Sequence, residues 1–294
     1  MPTRRPSFLL LLAWIVPPTF GQSPDSGATS KTGKDAPAPG GKMIVTRDET
    51  ALEGERRVAF PSPYARMLGI ETALKKSGVA IDWNGLYKRW ARADLKPDRI
   101  PKDKAASGFA IGVRLADGVI AFMGKDTAKL KQCARDVNTL AQRLGVKRDD
   151  LGSVAPLTRA VEEENWTEIY WHMGVLQQEI VTSLDTDKDR SMTAIVASGA
   201  WLQGLRYATD LILANQNRVD LSNMLRAAPI AELLGAELRK TPADVRSLPP
   251  VVSGIAALNA VQPLIDVRRD ELIPAAKVKQ IQDFAGEAIN AAVP

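Results

Sequence analysis

Two stretches of this sequence decide how it folds: SGFAIGVRLADGVI, from Ser107 to Ile120, and SGAWLQGLRYATDLI, from Ser198 to Ile212. Each contains the core Gly-x-Arg-x-Ala, and in each a small residue recurs at every fourth position. At 3.6 residues per turn this spacing forms a smooth ridge along one helix face, which lets another helix approach closely. The ridges comprise Gly108, Gly112 and Ala116 in the first stretch and Ala200, Gly204 and Ala208 in the second. We therefore predict two long central helices that can pack against each other.

Each of these helices also carries an arginine on its other side. Arg114 and Arg206 lie two residues beyond the central glycine of their ridge, which turns them about 200° away from it. Asp117 and Asp210 follow at i,i+3 and i,i+4 spacing, the spacing at which a carboxylate neutralises an arginine on a poorly solvated face. The sequence thus predicts one Arg/Asp pair on each central helix.

The rest of the chain predicts an all-α fold, because its apolar residues recur with helical spacing almost throughout. Asp82 and Asp126 are placed to cap helix N-termini, and Gly145 and Gly235 are placed to end helices. Since the two cores align and these two glycines follow them at similar distances, we predict a helical bundle with an internal duplication. The repeated unit is a long-helix hairpin, around 103–145 and 189–238, related by pseudo-twofold symmetry.

The N-terminus has the pattern of an exported protein. Two arginines precede an apolar run from Phe8 to Phe20, which is typical of a secretory signal peptide over residues 1–21. Residues 22–57 are rich in Ser, Gly, Pro, Ala and Lys and predict a disordered tether. Residues 58–294 then form one all-helical domain, and we expect the mature protein to be periplasmic or secreted, without a transmembrane segment.

The charge distribution argues against one class of partner, and the cysteine content argues against one kind of cross-link. The formal net charge of +5 is not concentrated in any long basic run, so nucleic acid is not an expected partner. Cys133 is the only cysteine, so an exported chain must be held together by packing without an intrachain disulfide.

Four short motifs resemble those of an uncharacterised family of exported, all-helical bacterial proteins. They are FPSP at Phe60 to Pro63, IGVRLAD at Ile111 to Asp117, LGV at Leu144 to Val146, and SGAWLQGL at Ser198 to Leu205. The sequence departs from that family pattern at Arg114 and Arg206, where tyrosines are expected, and at Gln203, where an acid is expected. The resemblance implies an all-helical exported protein, and it carries no activity.

Catalytic constellations are scarce. His172 is the single histidine and its neighbours match no metal-ligand spacing, so we expect no metal and no cofactor. The acids of Asp185 to Thr193 resemble the start of a calcium loop, but the required glycine and glutamate are missing, which favours a helix-capping loop. Cys133 lies among basic residues, yet we expect a reduced thiol packed between helices. We name no catalytic residue.

The acidic and aromatic stretch VEEENWTEIYWH, from Val161 to His172, leaves two interpretations open. Paired carboxylates beside aromatic rings are used in glycan chemistry, and Glu164 and Glu168 share a helical face. Acids at a helix N-terminus are also favourable through the helix dipole alone. We expect this second, structural role.

The arginine face remains the best candidate for ligand binding. Arg114, Asp117, Trp201, Arg206 and Asp210 could line an interhelical cleft for a small anionic or amphipathic ligand, although ion pairs that fix helix register would give the same pattern. We predict a non-catalytic binding or interaction module of the bacterial envelope, with such a ligand or an envelope protein as its partner. The alternative is a helical enzyme of mutase or lyase type, acting on an anionic substrate through Arg114, Arg206 and a glutamate of the 162–168 stretch.

Overall fold

The computed structural model describes residues 63–91, 96–184, 191–216, 218–268 and 270–293, and over this part of the chain it contains helices and no β-strand. The all-α bundle predicted from the sequence is confirmed. The α-helices are α1 (Pro63–Lys75), α2 (Trp83–Trp90), α3 (Lys104–Met123), α4 (Thr127–Arg143), α5 (Val154–Glu162), α6 (Trp166–Leu184), α7 (Ser191–Ala214), α8 (Ala228–Arg239), α9 (Ala243–Arg246), α10 (Pro249–Ile265) and α11 (Ala275–Ala292). The predicted signal peptide and tether, residues 1–57, lie outside the described residues, as do residues 185–190 of the predicted capping loop.

Short polar side chains set where several helices begin. The carboxylate of Asp82 accepts the backbone N–H of Gly85 at 2.8 Å, and that of Asp126 accepts the N–H of Lys129 at 3.0 Å. These contacts satisfy N–H groups that have no partner within the first helical turn, as predicted. Gly145 adopts a φ of 89° directly after α4, a left-handed conformation that glycine adopts without strain. The predicted end of α4 is therefore confirmed.

The long helices α3 and α7 form the centre of the bundle and pack against each other, in agreement with the sequence. They run parallel and cross at two glycines, because a Cβ at Gly112 would overlap the carbonyl oxygen of Val196, and a Cβ at Gly199 would overlap that of Phe109. The contact is thus reciprocal: each glycine lies on a backbone carbonyl three residues before the other glycine. Such a close approach is possible only without side chains at both positions.

The remaining helices cover this central pair unequally. Helix α4 packs along α3, while α10 and α11 pack against each other and α11 packs along α7. In the α5–α6 hairpin, α5 packs on α4 and α6 reaches α3 and α7, while α8 packs on α10. Helices α1 and α2 are short and lie across α3 and α7. Helix α3 is consequently almost enclosed, whereas α7 keeps half-buried side chains near α2.

The predicted internal duplication is not confirmed. Gly235, expected to end a helix, lies inside α8, where a Cβ would be 3.4 Å from the guanidinium of Arg239. In addition, α4 packs directly on the preceding α3, whereas α8 is separated from α7 by a 3-10 segment and packs mainly on α10. The symmetry of the central crossing pairs Gly112 with Gly199, not with Gly204 as the motif alignment requires. The similarity of the two cores is therefore local.

One described helix, α3, has the length and apolar composition that could cross a membrane. However, 83% of its most apolar window is buried inside the protein. Within this bundle α3 is the core helix around which the others pack.

Candidate functional site

Arg114 lies inside the protein, on the face of α3 that turns away from the glycine crossing. Its side chain is only 2% exposed and forms two ion pairs, with Asp117 at 3.2 Å and with Asp136 on α4 at 3.0 Å. The predicted Arg114–Asp117 pair is confirmed. The second carboxylate, Asp136, was not singled out from the sequence, because nothing in the chain pattern tells which residue of α4 faces Arg114.

Asp117 joins this ion pair to α7. It is completely buried, and its Oδ1 accepts hydrogen bonds from Gln203 Nε2 and from the hydroxyl of Tyr207, both at 2.7 Å. The same Gln203 nitrogen donates to the backbone carbonyl of Trp90 at 3.1 Å. One buried network therefore connects α2, α3, α4 and α7. We call Arg114, Asp117, Asp136, Gln203 and Tyr207 the core network.

The core network carries one guanidinium and two carboxylates. Burial raises the pKa of Asp117 and of Asp136, and this effect outweighs the opposite effect of Arg114 and of the hydrogen-bond donors. Burial also disfavours the charged guanidinium, but the two carboxylates more than compensate, so the pKa of Arg114 is raised. The network therefore holds one more acid than cation, and the raised pKa of both carboxyls means that Arg114 does not fully offset their burial.

Cys133 is buried beside this network. Its sulfur lies 3.6 Å from the hydroxyl of Tyr87, and burial raises the pKa of the thiol to about 12. The thiol is therefore uncharged at neutral pH and unreactive as a nucleophile, as expected for a structural cysteine. A cavity next to Cys133 and Arg114 has a volume of about 40 Å³, which is room for water and not for an organic ligand.

Arg206 lies in a different environment from Arg114. It is half-buried, and its guanidinium carbon stacks 4.3 Å from the ring centroid of Trp90 at the end of α2. A Cβ at Gly286 would lie 3.6 Å from Nε of Arg206, so α11 borders it on another side. Asp210, predicted as the partner of Arg206, instead forms an ion pair with Arg89 of α2 at 3.1 Å. We call Arg206, Trp90, Arg89 and Asp210 the Arg206 edge.

Trp201 faces a third direction. It is 4% exposed, and the guanidinium carbon of Arg66 on α1 lies 5.8 Å from its ring centroid. Arg66, which is 7% exposed, was not singled out from the sequence. Its contact with Trp201 joins two positions far apart in the chain, and no motif marks it.

The five candidate residues thus occupy three surroundings. Arg114 and Asp117 belong to the core network, Arg206 and Asp210 to the Arg206 edge, and Trp201 lies against α1. Gln203 connects the first two, because it donates both to Asp117 and to the carbonyl of Trp90.

The acidic stretch lies at the corner between α5 and α6. Its glutamates are exposed; Glu162 is 3.6 Å from Lys131, and the N–H of Glu168 donates to the side chain of Asn165 at 3.3 Å. Phe122, Trp166 and Tyr170 form an aromatic cluster next to this corner, with edge-to-face and tilted ring contacts. Asn165, and not a glutamate, therefore provides the described side-chain cap of α6.

Among the described residues, no group of His, Cys, Asp and Glu is arranged to hold a metal ion.

A comparison of the chain with protein-family models, curated proteins and solved structures finds no significant match. The family resemblance of the four motifs stays a sequence-based expectation.

Proposed function

We propose that the protein is a non-catalytic binding module whose partner is a small anionic or amphipathic ligand, bound at the Arg206 edge. The observation that carries this proposal is the half-buried guanidinium of Arg206, stacked 4.3 Å over Trp90. Stacking on an aromatic ring holds a guanidinium in place, and the planar guanidinium is suited to paired hydrogen bonds with an oxyanion. The ring also supplies apolar surface for the rest of an amphipathic ligand.

The core network supports this assignment by a different argument. Its charged groups are buried and paired with one another, so they complete the core without a ligand. A substrate would have to unpack α4 to reach Arg114. The Arg206 edge is the part of the arginine face that remains partly accessible, and the side chain of Arg89 there is 57% exposed.

The alternative of a helical mutase or lyase receives no supporting contact. Such an enzyme would bring Arg114, Arg206 and a glutamate of the 162–168 stretch together around one substrate. Glu162 instead lies against Lys131 of α4, and Arg206 lies against α2 and α11.

The binding proposal is tested by thermal denaturation of the full chain with a panel of amphipathic carboxylates and phosphate monoesters, whose apolar parts can pack on the ring of Trp90. Ligands that bind the folded state raise Tm in a saturable manner. We expect the response to be lost in Arg206→Met and kept in Arg143→Met, a matched control at an exposed position of α4. A panel without any saturable shift would contradict the proposal, as would an undiminished response in Arg206→Met.

We also propose export to the periplasm or the medium, supported by the basic and apolar pattern of residues 1–21. Expression in a bacterium with a C-terminal tag should give a shortened chain in the periplasmic fraction. Replacing two leucines of the apolar run by arginines should retain the full-length chain in the cytoplasm. A full-length chain in the cytoplasm without that change would refute export.

A further inference from the structure

Arg66 presents a buried cation without a counterion in the described part of the chain. Its side chain is more than nine-tenths buried, and Nη2 makes no hydrogen bond to any described residue. Its contact is with the indole ring of Trp201, 5.8 Å from the guanidinium carbon to the ring centroid. An aromatic face attracts a cation, but it does not neutralise the charge.

The same ring carries a second buried donor without an acceptor. Nε1 of Trp201 has no hydrogen-bond partner among the described residues, although indole N–H groups usually find one when buried. Both groups are donors only. What would satisfy the pair is an acceptor, and the charge of Arg66 favours an anionic one.

The electrostatic surroundings of Arg66 also favour an anion. Arg66 lies in the first turn of α1, where the helix dipole places partial positive charge, and that turn contains no acidic residue. Burial lowers the pKa of Arg66 to about 10, so the side chain is still protonated at neutral pH. An uncompensated buried charge is costly to a folded protein, and a bound anion would offset this cost.

We propose that Arg66 and Trp201 form an oxyanion-binding site, which takes the carboxylate or phosphate group of a small molecule between α1 and α7. The guanidinium and the indole N–H donate to the oxyanion, and the ring of Trp201 forms an apolar wall beside it. This inference rests on the proposed binding function and adds a site separate from the Arg206 edge, since Arg66 lies on α1 and Arg206 faces α2 and α11. Access requires that α1, a short helix at the periphery of the bundle, moves away from α7 and from its smaller contacts with α3 and the 3-10 segment after α7.

The experiment measures Tm of the full chain against sulfate, inorganic phosphate and acetate, with chloride keeping the ionic strength constant. We expect a saturable rise of about 5 °C or more in the wild type. The rise should disappear in Arg66→Met and shrink in Trp201→Phe, which keeps a ring but removes the N–H. Arg143→Met should respond like the wild type.

Basal stability provides a second measurement. Since Arg66→Met removes a buried charge and keeps an apolar stem of similar length, its Tm without added oxyanion should equal or exceed that of the wild type. A protein that needs Arg66 only for packing would instead lose stability and keep its oxyanion response.

The outcomes separate the two proposals. A response to the inorganic oxyanions and acetate that is lost in Arg66→Met but kept in Arg206→Met supports this site, and the reverse pattern overturns it. The response to the amphipathic panel in Arg206→Met tests the Arg206 edge separately. If Arg66→Met does not fold, the sulfate affinity of Trp201→Phe tests the site instead. An affinity equal to that of the wild type overturns the site, and a weaker affinity supports it.

Discussion

Replacing Arg114 by methionine tests whether the core network is held together by charge. The substitution keeps the apolar stem but removes the cation that Asp117 and Asp136 share, while their side chains are only 0% and 4% exposed. Removing one partner of a buried ion pair typically costs about 3–5 kcal/mol, because the remaining charge has no counterion. For a domain of this size that loss lowers Tm by about 6–20 °C. Urea denaturation followed by circular dichroism measures the free energy of unfolding directly.

Rescue distinguishes charge from packing. In the Arg114→Met background, Asp117→Asn and Asp136→Asn remove both buried charges, while the carbonyl at position 117 can still accept from Gln203 and Tyr207. We expect these changes to restore at least half of the lost stability. If Arg114→Met unfolds within about 1 kcal/mol of the wild type, or if neutralising the carboxylates restores nothing, the electrostatic explanation of the network is wrong.

The pH dependence follows from the same groups. Burial raises the pKa of Asp117 and Asp136, although Arg114, Gln132 and Arg135 act in the opposite direction on Asp136. A raised pKa means that the folded state binds the proton more tightly than the unfolded chain, so this contribution to stability is lost as pH rises above about 4. Asp136→Asn removes one such carboxyl. Its urea midpoint relative to the wild type should therefore increase with pH, and a constant difference would contradict the raised pKa.

Three further changes probe the crossing and the buried groups. Gly112→Ala places a Cβ against a backbone carbonyl of α7 and should cost about 1–3 kcal/mol in urea denaturation, whereas Gly118→Ala on the same helix meets only ordinary contacts at 3.7 Å and should cost nothing. Gln203→Glu replaces the amide that donates to Asp117 with another buried carboxyl. We expect the free energy of unfolding to fall by about 3 kcal/mol at pH 7 and by less at pH 5, where the new carboxyl is more readily protonated. Equal losses at the two pH values would contradict this. Native Cys133 should react with a thiol reagent only as the protein opens, so labelling as fast as in urea would refute its burial.

Helix positions could be predicted from the sequence because their signals are local. The caps at Asp82 and Asp126 and the left-handed glycine at Gly145 each act within one turn, and the structure confirms all three. The packing of α3 against α7 could also be predicted, since small residues at every fourth position are useful only at a close contact. Which glycines meet could not be predicted. The predicted ridge of α7 contains Gly204, whereas the contact uses Gly199, one residue before that ridge begins. This choice depends on how each helix is rotated about its axis and how far it is shifted along the other.

The candidate site shows the same limit more strongly. The pair Arg114–Asp117 lies within one helix, so spacing alone identified it. Its other partners, Asp136 and Tyr207, come from α4 and α7, and their choice depends on how those helices are rotated about their axes. Periodicity gives the face of a helix, but it does not give the residue of a neighbouring helix that the face meets. The contact between Arg66 of α1 and Trp201 of α7 could not be predicted for the same reason.

The two arginines of the repeated core end in opposite roles because their helices are covered differently. Helix α4 packs along the arginine face of α3 and brings Asp136 to Arg114, so that guanidinium is enclosed and paired. On α7 the corresponding face meets the end of the short helix α2. There Arg206 stacks on the ring of Trp90, and Asp210 forms an ion pair with Arg89 of α2. An identical motif therefore gives a buried ion pair in one helix and a half-buried arginine stacked on an aromatic ring in the other. If ligand binding depends on the motif itself, Arg114→Met and Arg206→Met should weaken it equally; if it depends on the covering helices, only Arg206→Met should weaken it in protein that remains folded.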